Sequence, residues 1–132
     1  MADDAQDDPS IPDADRLFRR VRPNQLQPET DGSQRPSSAV FKNQELSVNI
    51  ESLMAEQGRQ PEETLTSFPD DFLTSIVARD VRAYGYPIVK DTAPPNDPAH
   101  GLVLGRKTSA FANAMVRTHQ WIKAPPKMKT DT

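Results

Sequence analysis

The chain has 132 residues, thirteen prolines, no cysteine and a net charge of −3. That length suits one domain, and the absence of cysteine excludes disulfides and thiolate metal sites. The N-terminus has no apolar segment typical of a secretory signal, and no apolar run is long enough to span a bilayer. We therefore expect a soluble, cytoplasmic protein that does not associate with membranes.

Charged residues are distributed unevenly along the chain. Residues 1–15 contain six aspartates and no basic side chain. Residues 1–14 also carry too few apolar side chains to offset the entropy of ordering, so we expect a disordered acidic tail. Such a tail could instead fold back onto basic groups of the domain. The domain itself is expected over residues 15–126, followed by a flexible basic tail over 127–132.

The first half of the domain gives mixed signals. Residues 15–26 fit a short strand or a short helix about equally well, and residues 27–38 read as a loop with a turn at Asp31-Gly32. Residues 39–41 and 45–50 look extended, since Leu46, Val48 and Ile50 alternate with polar residues. We expect a strand to Val48, then a helix from the N-cap Asn49 to Gln57, ended by Gly58.

The second half alternates strand and helix signals. Proline and two acids favour a short helix starting at residue 61. Residues 72–77 predict a core strand and residues 79–84 a short helix ended by Gly85. Residues 86–90 look extended, and their proline favours either an edge position or the beginning of the strand. The loop 91–99 follows.

Taken together, the elements predict a single small α+β domain with a mixed β-sheet, several short helices and a longer amphipathic helix near the C-terminus. There is no internal repeat, and no family signature emerges.

The stretch 100–126 holds both histidines and the only tryptophan. Residues 101–105 predict a buried strand, and the helix after it is expected to run to the double proline at Pro125. On a helical wheel Phe111, Met115 and Ile122 form the core face, and His119 lies on the same side as a packed, hydrogen-bonded side chain. Trp121 lies at the border of that face, where it could cover the edge of the core or anchor a partner.

The turn between this strand and helix is the part of the sequence that most suggests a binding site. Its glycine and lysine spacing is not that of a phosphate-binding Walker loop, which excludes that class of nucleotide hydrolase. If Thr108 or Ser109 caps the helix, however, Arg106, Lys107 and the free backbone N–H groups meet at a positive helix end that suits a phosphate or carboxylate. The alternative is a capped helix with two solvated bases.

His100 opens the strand and is a weak candidate for acid–base chemistry beside Arg106 and Lys107. Its alternative role is a hydrogen bond that fixes the preceding loop. A second polar group includes Arg35, Ser37, Ser38, Glu45 and Ser47; these could bind a ribose, or Ser37 could be a nucleophile with His100, although nothing in the spacing requires either. Two histidines without nearby carboxylates at ligand spacing predict no metal site, and no cofactor is expected.

Three functions remain open. The first is a non-catalytic protein-interaction module that uses Trp121, Arg117 and Lys123 on the C-terminal helix and its basic flank. The second is nucleotide or nucleic-acid binding by the basic end. The third is a small enzyme for a phosphate-bearing substrate at His100, Arg106 and Lys107. The sequence favours the first and names neither the partner nor the oligomeric state.

Overall fold

A computed structural model describes residues 6–128 and shows one α+β domain. Its strands are β1 Arg16–Val21, β2 Leu26–Pro28, β3 Gln34–Pro36, β4 Glu45–Ile50, β5 Phe72–Val77, β6 Ile88–Lys90, β7 His100–Leu104 and β8 Gln120–Lys123. Its α-helices are α1 Glu51–Glu56, α2 Ala78–Ala83 and α3 Ser109–Thr118. Short 3-10 segments span Pro23–Gln25, Ser38–Phe41 and Pro61–Leu65.

Six strands form one sheet in the order β6-β7-β4-β1-β5-β8, and β2 pairs with β3 in a separate hairpin. Each strand pair within residues 6–128 is antiparallel. The α+β class is thus confirmed, but the sheet is antiparallel rather than mixed. The α-helices are too short to serve as the long crossovers that parallel strands need.

Both faces of the sheet are partly covered. On one face, α3 and the segment Ser38–Phe41 pack over a cluster that contains Leu17, Ile50 and Phe111. On the other face, α1 and the segment Pro61–Leu65 cover a smaller cluster around Phe18 and Leu73. This explains why β5 reads as an almost continuous buried run, since both of its faces pack against other elements.

The described part of the acidic tail is ordered, contrary to our expectation of disorder. The side chain of Ile11 is 1% exposed within the main core. Arg82 forms ion pairs with Asp7 and Asp13, and the backbone of Asp8 bonds to Ile88 on the β6 edge. The prediction failed because it treated Ile11 as isolated, whereas a single aliphatic anchor with charge partners suffices here. The remainder of that tail, residues 1–5, lies outside the described residues.

The C-terminal helix is shorter than predicted. It ends at Thr118, and residues Gln120–Lys123 form β8 along β5 instead of continuing to Pro125. The chain changes from helix to strand at His119, whose ψ of 155° is that of an extended residue. Pairing with the unpartnered edge of β5 outweighs the helical apolar pattern. Part of the basic tail predicted over 127–132, residues 129–132, is likewise outside the described residues.

The other helix and strand boundaries differ less from the predicted ones. Residues 39–41 lie in a 3-10 turn rather than a strand, and β4 continues through Asn49, which is therefore not a helix cap. Gly58 and Gly85 take φ of +67° and +87°, which confirms them as the left-handed residues that follow α1 and α2. Strand β6 lies at the sheet edge, as its proline suggested. Among the helices of residues 6–128, none has the length and apolarity to cross a membrane.

Candidate functional site

The predicted anion site at the start of α3 is largely occupied by the protein's own groups. Thr108 is the N-cap, and its side chain accepts a hydrogen bond from the backbone N–H of Phe111. The hydroxyl of Tyr86 accepts from the Thr108 N–H and donates to the carbonyl of Arg106. Thr108 and Ser109 are exposed, as is Arg106. The capping prediction is confirmed, but part of the backbone that would hold an anion is already engaged.

Lys107 does not face this helix end at all. It is 8% exposed, and its Nζ donates to the carbonyls of Asn43, Gln44, Val103 and Gly105 at 2.9, 3.2, 2.9 and 2.6 Å. Burial lowers the pKa of Lys107 to about 8. Its ammonium group thus connects the residues just before β4 with those at the end of β7. The Nζ donors of Lys107 are therefore used within the domain, and the structure gives no support to the prediction that they hold an external anion.

His100 lies at the opposite end of β7 from Arg106. Four residue steps of an extended strand separate His100 from Leu104, which is about 14 Å. The Nδ1 of His100 lies 3.0 Å from a carboxylate oxygen of Asp91 and 3.2 Å from its carbonyl oxygen. This bond fixes the 91–99 loop, as one of the two sequence interpretations proposed. The structure does not bring His100 together with Arg106 and Lys107.

The residues that the structure does bring together lie between α3 and the β2–β3 hairpin. They line a groove of about 520 Å³, which we call the helix–hairpin groove. Its lining residues are Gln27, Glu29, Arg35, Ser38, Asn113, Val116, Arg117 and His119. The groove therefore combines two groups that the sequence treated separately, the polar group near Arg35 and the C-terminal helix near Arg117.

The two arginines of the groove differ in their freedom. Arg35 is held on the hairpin, since its two Nη atoms contact Glu29 at 3.0 Å and Gln27 at 3.1 Å. Arg117 is exposed and forms no ion pair or side-chain hydrogen bond with any residue between 6 and 128. Glu29 therefore offsets the charge of Arg35, whereas no acidic side chain of the described residues offsets the charge of Arg117.

His119 forms the inner end of the groove. Its Nδ1 lies 2.7 Å from the hydroxyl of Thr74, and its ring packs edge-on against Trp121 at 5.0 Å between centroids. Burial lowers the pKa of His119, so the ring is neutral at pH 7. The prediction of a packed, hydrogen-bonded histidine is confirmed, although the residue lies beyond the helix rather than on its apolar face.

Trp121 and Lys123 support this region from β8. The indole N–H of Trp121 donates to the carbonyl of Gln34, and the Nζ of Lys123 donates to the carbonyl of Pro69. Both side chains are partly buried. Trp121 thus attaches the hairpin to the sheet and packs against the main core, which agrees with the expected role at the edge of the core rather than with that of a partner anchor. Lys123 likewise has a bond within the domain.

The hypothesis of a nucleophilic serine beside His100 finds no geometric support. In the described part of the chain, no serine hydroxyl is hydrogen-bonded to His100, and Ser38 lies at the groove instead. Over the same residues, no group of three or more His, Cys, Asp or Glu side chains is placed to hold a metal ion. The structure therefore assembles no catalytic serine arrangement there.

The hairpin was the element that sequence reasoning missed. Asp31-Gly32 marked a turn, and the flanking Leu26–Pro28 and Gln34–Pro36 pair across it. Both strands contain proline and are only three residues long, so alternation could not reveal them. The turn signal alone could have suggested that Gln27 and Arg35 lie opposite each other.

Comparisons with protein-family models, with curated proteins and with solved structures find no significant match for this chain.

Proposed function

We propose that this protein is a non-catalytic interaction module that binds an acidic segment of a protein partner in the helix–hairpin groove. The observation that carries the proposal is the exposed Arg117 beside a hairpin whose polar groups are already oriented. A cytoplasmic setting is part of the same proposal and is compatible with a sequence free of cysteine.

The chemistry of the groove favours recognition over catalysis. Arg35 is fixed by two partners, so a ligand meets a preorganised guanidinium and loses little side-chain entropy there. Arg117 supplies an exposed charge, Asn113 supplies an amide, and Val116 adds an apolar contact. His119 is neutral and already bonded to Thr74, which leaves the groove without a free acid–base group.

The test is binding of labelled eight-residue peptides that differ only in their number of Asp and Glu residues, measured by fluorescence anisotropy. Affinity is expected to rise with acidic content and to fall with added salt. Arg117→Gln should weaken binding of the most acidic peptide about tenfold, as expected for loss of a charge-assisted hydrogen bond. Arg106→Gln is the matched control, because Arg106 is also exposed but lies at the other end of α3.

Equal loss of affinity in both variants would indicate general charge attraction and contradict a specific groove. A single-stranded oligonucleotide of equal charge serves as the competing probe. If it binds more tightly than any peptide and its affinity depends on Arg117, the nucleic-acid alternative replaces the protein-partner proposal.

A further inference from the structure

A second cavity, of about 240 Å³, opens on the sheet face opposite α3, between β1 and β4. We call it the β1–β4 cleft. It is lined by Phe18, Arg19, Arg20, Ser47, Val48, Asn49, Thr64, Phe68, Asp97 and His100. Its volume lies below that of typical sites for drug-sized molecules, so it suits a small ligand.

The cleft exists because two adjacent strands separate. The pairing of β1 with β4 comprises only Leu17 with Ile50 and Phe18 with Asn49, although both strands continue. Beyond these two pairs, the side chain of Arg19 supplies hydrogen bonds where the backbone bonds between β1 and β4 are absent. Its Nε donates to the carbonyl of Val40 and its Nη1 to the carbonyl of Ser47.

Positive charge in the cleft is incompletely balanced. Within residues 6–128, Arg19 has no carboxylate partner, and burial, followed by repulsion from Arg20 and Arg22, lowers its pKa to about 10. A partly buried cation without a counter-ion is costly for a fold to retain. The hydrogen bonds of Arg19 to two carbonyls offset part of this cost, and an anion bound in the cleft would offset more of it.

The other charged groups do not cancel Arg19. Arg20 stacks on Phe68 at 3.5 Å from the ring centroid, and its Nε lies 3.5 Å from Asp71, a distance too long for a strong bond. Asp97 is the acidic side chain that lines the cleft, and Arg59 holds it through bonds of 2.8 and 2.7 Å. The lining therefore keeps a net positive charge.

Neutral donors complete the site. Asp91 binds Nδ1 of His100, which leaves Nε2 as the ring atom available to a ligand. The amide of Asn49 is held by the hydroxyl of Thr64, whereas the hydroxyl of Ser47 has no hydrogen-bond partner within the described chain. Phe68 is 45% exposed at this site, so part of its ring can contact an apolar group of the ligand.

We propose that the β1–β4 cleft binds a small molecule that carries an oxyanion, a phosphate monoester or a carboxylate, next to a flat apolar group. Arg19 and Arg20 balance its charge, Ser47 and His100 complete its hydrogen bonds, and Phe68 contacts its apolar part. This site shares no lining residue with the helix–hairpin groove.

Calorimetric titration of the intact protein with phenyl phosphate, inorganic phosphate and benzoate tests this proposal. At least one of them is expected to bind with a Kd of about 1 mM or lower, and a ligand at about 10 mM would then occupy roughly 90% of the sites. Arg20→Gln should weaken that binding about tenfold. Comparison of phenyl phosphate with benzoate distinguishes the two oxyanions. Comparison of phenyl phosphate with inorganic phosphate shows how much the apolar group adds to the affinity.

Arg106→Gln and Arg117→Gln are the controls, and both should retain the wild-type Kd. Because Arg20→Gln also removes the contact with Phe68, its fold is checked by circular dichroism, and Ser47→Ala provides a second, milder variant with an expected loss of about threefold to fivefold. Amide chemical-shift changes on titration should centre on Ser47, Asn49 and His100. Absence of binding at about 10 mM, shift changes centred elsewhere, or equal weakening in Arg106→Gln would overturn the proposal.

Discussion

Replacing Ile11 with alanine tests directly whether the acidic N-terminal segment belongs to the folded domain. Its side chain is 1% exposed within the main core. If the segment were disordered, the substitution would leave stability unchanged. If it is ordered as described, Ile11→Ala removes buried methyl groups and leaves a cavity.

The expected loss follows from the surroundings of Ile11. An Ile→Ala change in a rigid core costs about 2–5 kcal/mol in the free energy of unfolding. Here the flanking chain is held by Arg82 and by the Asp8–Ile88 backbone bond, yet it lies near the terminus and can shift inward. We therefore expect about 2–3 kcal/mol, and about 1 kcal/mol for Ile11→Val.

Urea unfolding followed by the fluorescence of Trp121 measures this, since it is the only tryptophan. With a slope of about 1–1.5 kcal/mol per molar urea, a loss of 2–3 kcal/mol lowers the midpoint by about 2 M. Ala14→Ser is the control, because Ala14 is exposed in the same segment. A midpoint for Ile11→Ala no lower than that of the control would refute the reasoning.

Three further changes probe the core and the internal bonds. Lys107→Met leaves its backbone carbonyls without a donor and should lower the free energy of unfolding by about 1–3 kcal/mol, whereas Arg106→Met should change it by less than about 0.5 kcal/mol; comparable values for the two would contradict the internal role. Because burial lowers the pKa of His119 below 6.5, the unfolded chain binds a proton that the folded state resists, so stability should decrease as the pH falls through and below 6.5. The stability difference between wild type and His119→Gln should shrink over that range, and a constant difference would show that His119 does not contribute. Gly101→Ala should destabilise by about 1–3 kcal/mol, since its Cβ would lie 2.6 Å from Cδ1 of the buried Ile50; unchanged thermal stability would mean that Ile50 moves freely.

The sequence predicts local elements well where a segment has one dominant signal. Glycines at positions 58 and 85 correctly marked helix ends, because few other residues adopt positive φ without strain. Strand β5 was likewise evident from its β-branched and aromatic run. In contrast, Gln120–Lys123 followed a helical apolar pattern and nevertheless formed β8, because an open edge of β5 offered backbone partners that the sequence does not display.

The same reason limits prediction of the sites. Lys107 looked like a surface base because its neighbours in sequence are polar, while its actual partners are carbonyls up to 64 residues away. The groove residues Arg35 and Arg117 are far apart in the chain, and they meet because contacts such as the Trp121–Gln34 and Gln34–Pro126 hydrogen bonds attach the hairpin to the rest of the domain. Charge type could be read from the sequence, but the partner of each charge could not.

One row of residues through the middle of the sheet connects the two proposed sites. Arg19, which lines the β1–β4 cleft, pairs in register with Thr74. The hydroxyl of Thr74 binds His119, which lines the helix–hairpin groove. Burial, followed by repulsion from Arg20 and Arg22, lowers the pKa of Arg19, whereas burial alone lowers the pKa of His119. The two groups are therefore linked through Thr74 in the fold, while the charge state of each follows from its own surroundings.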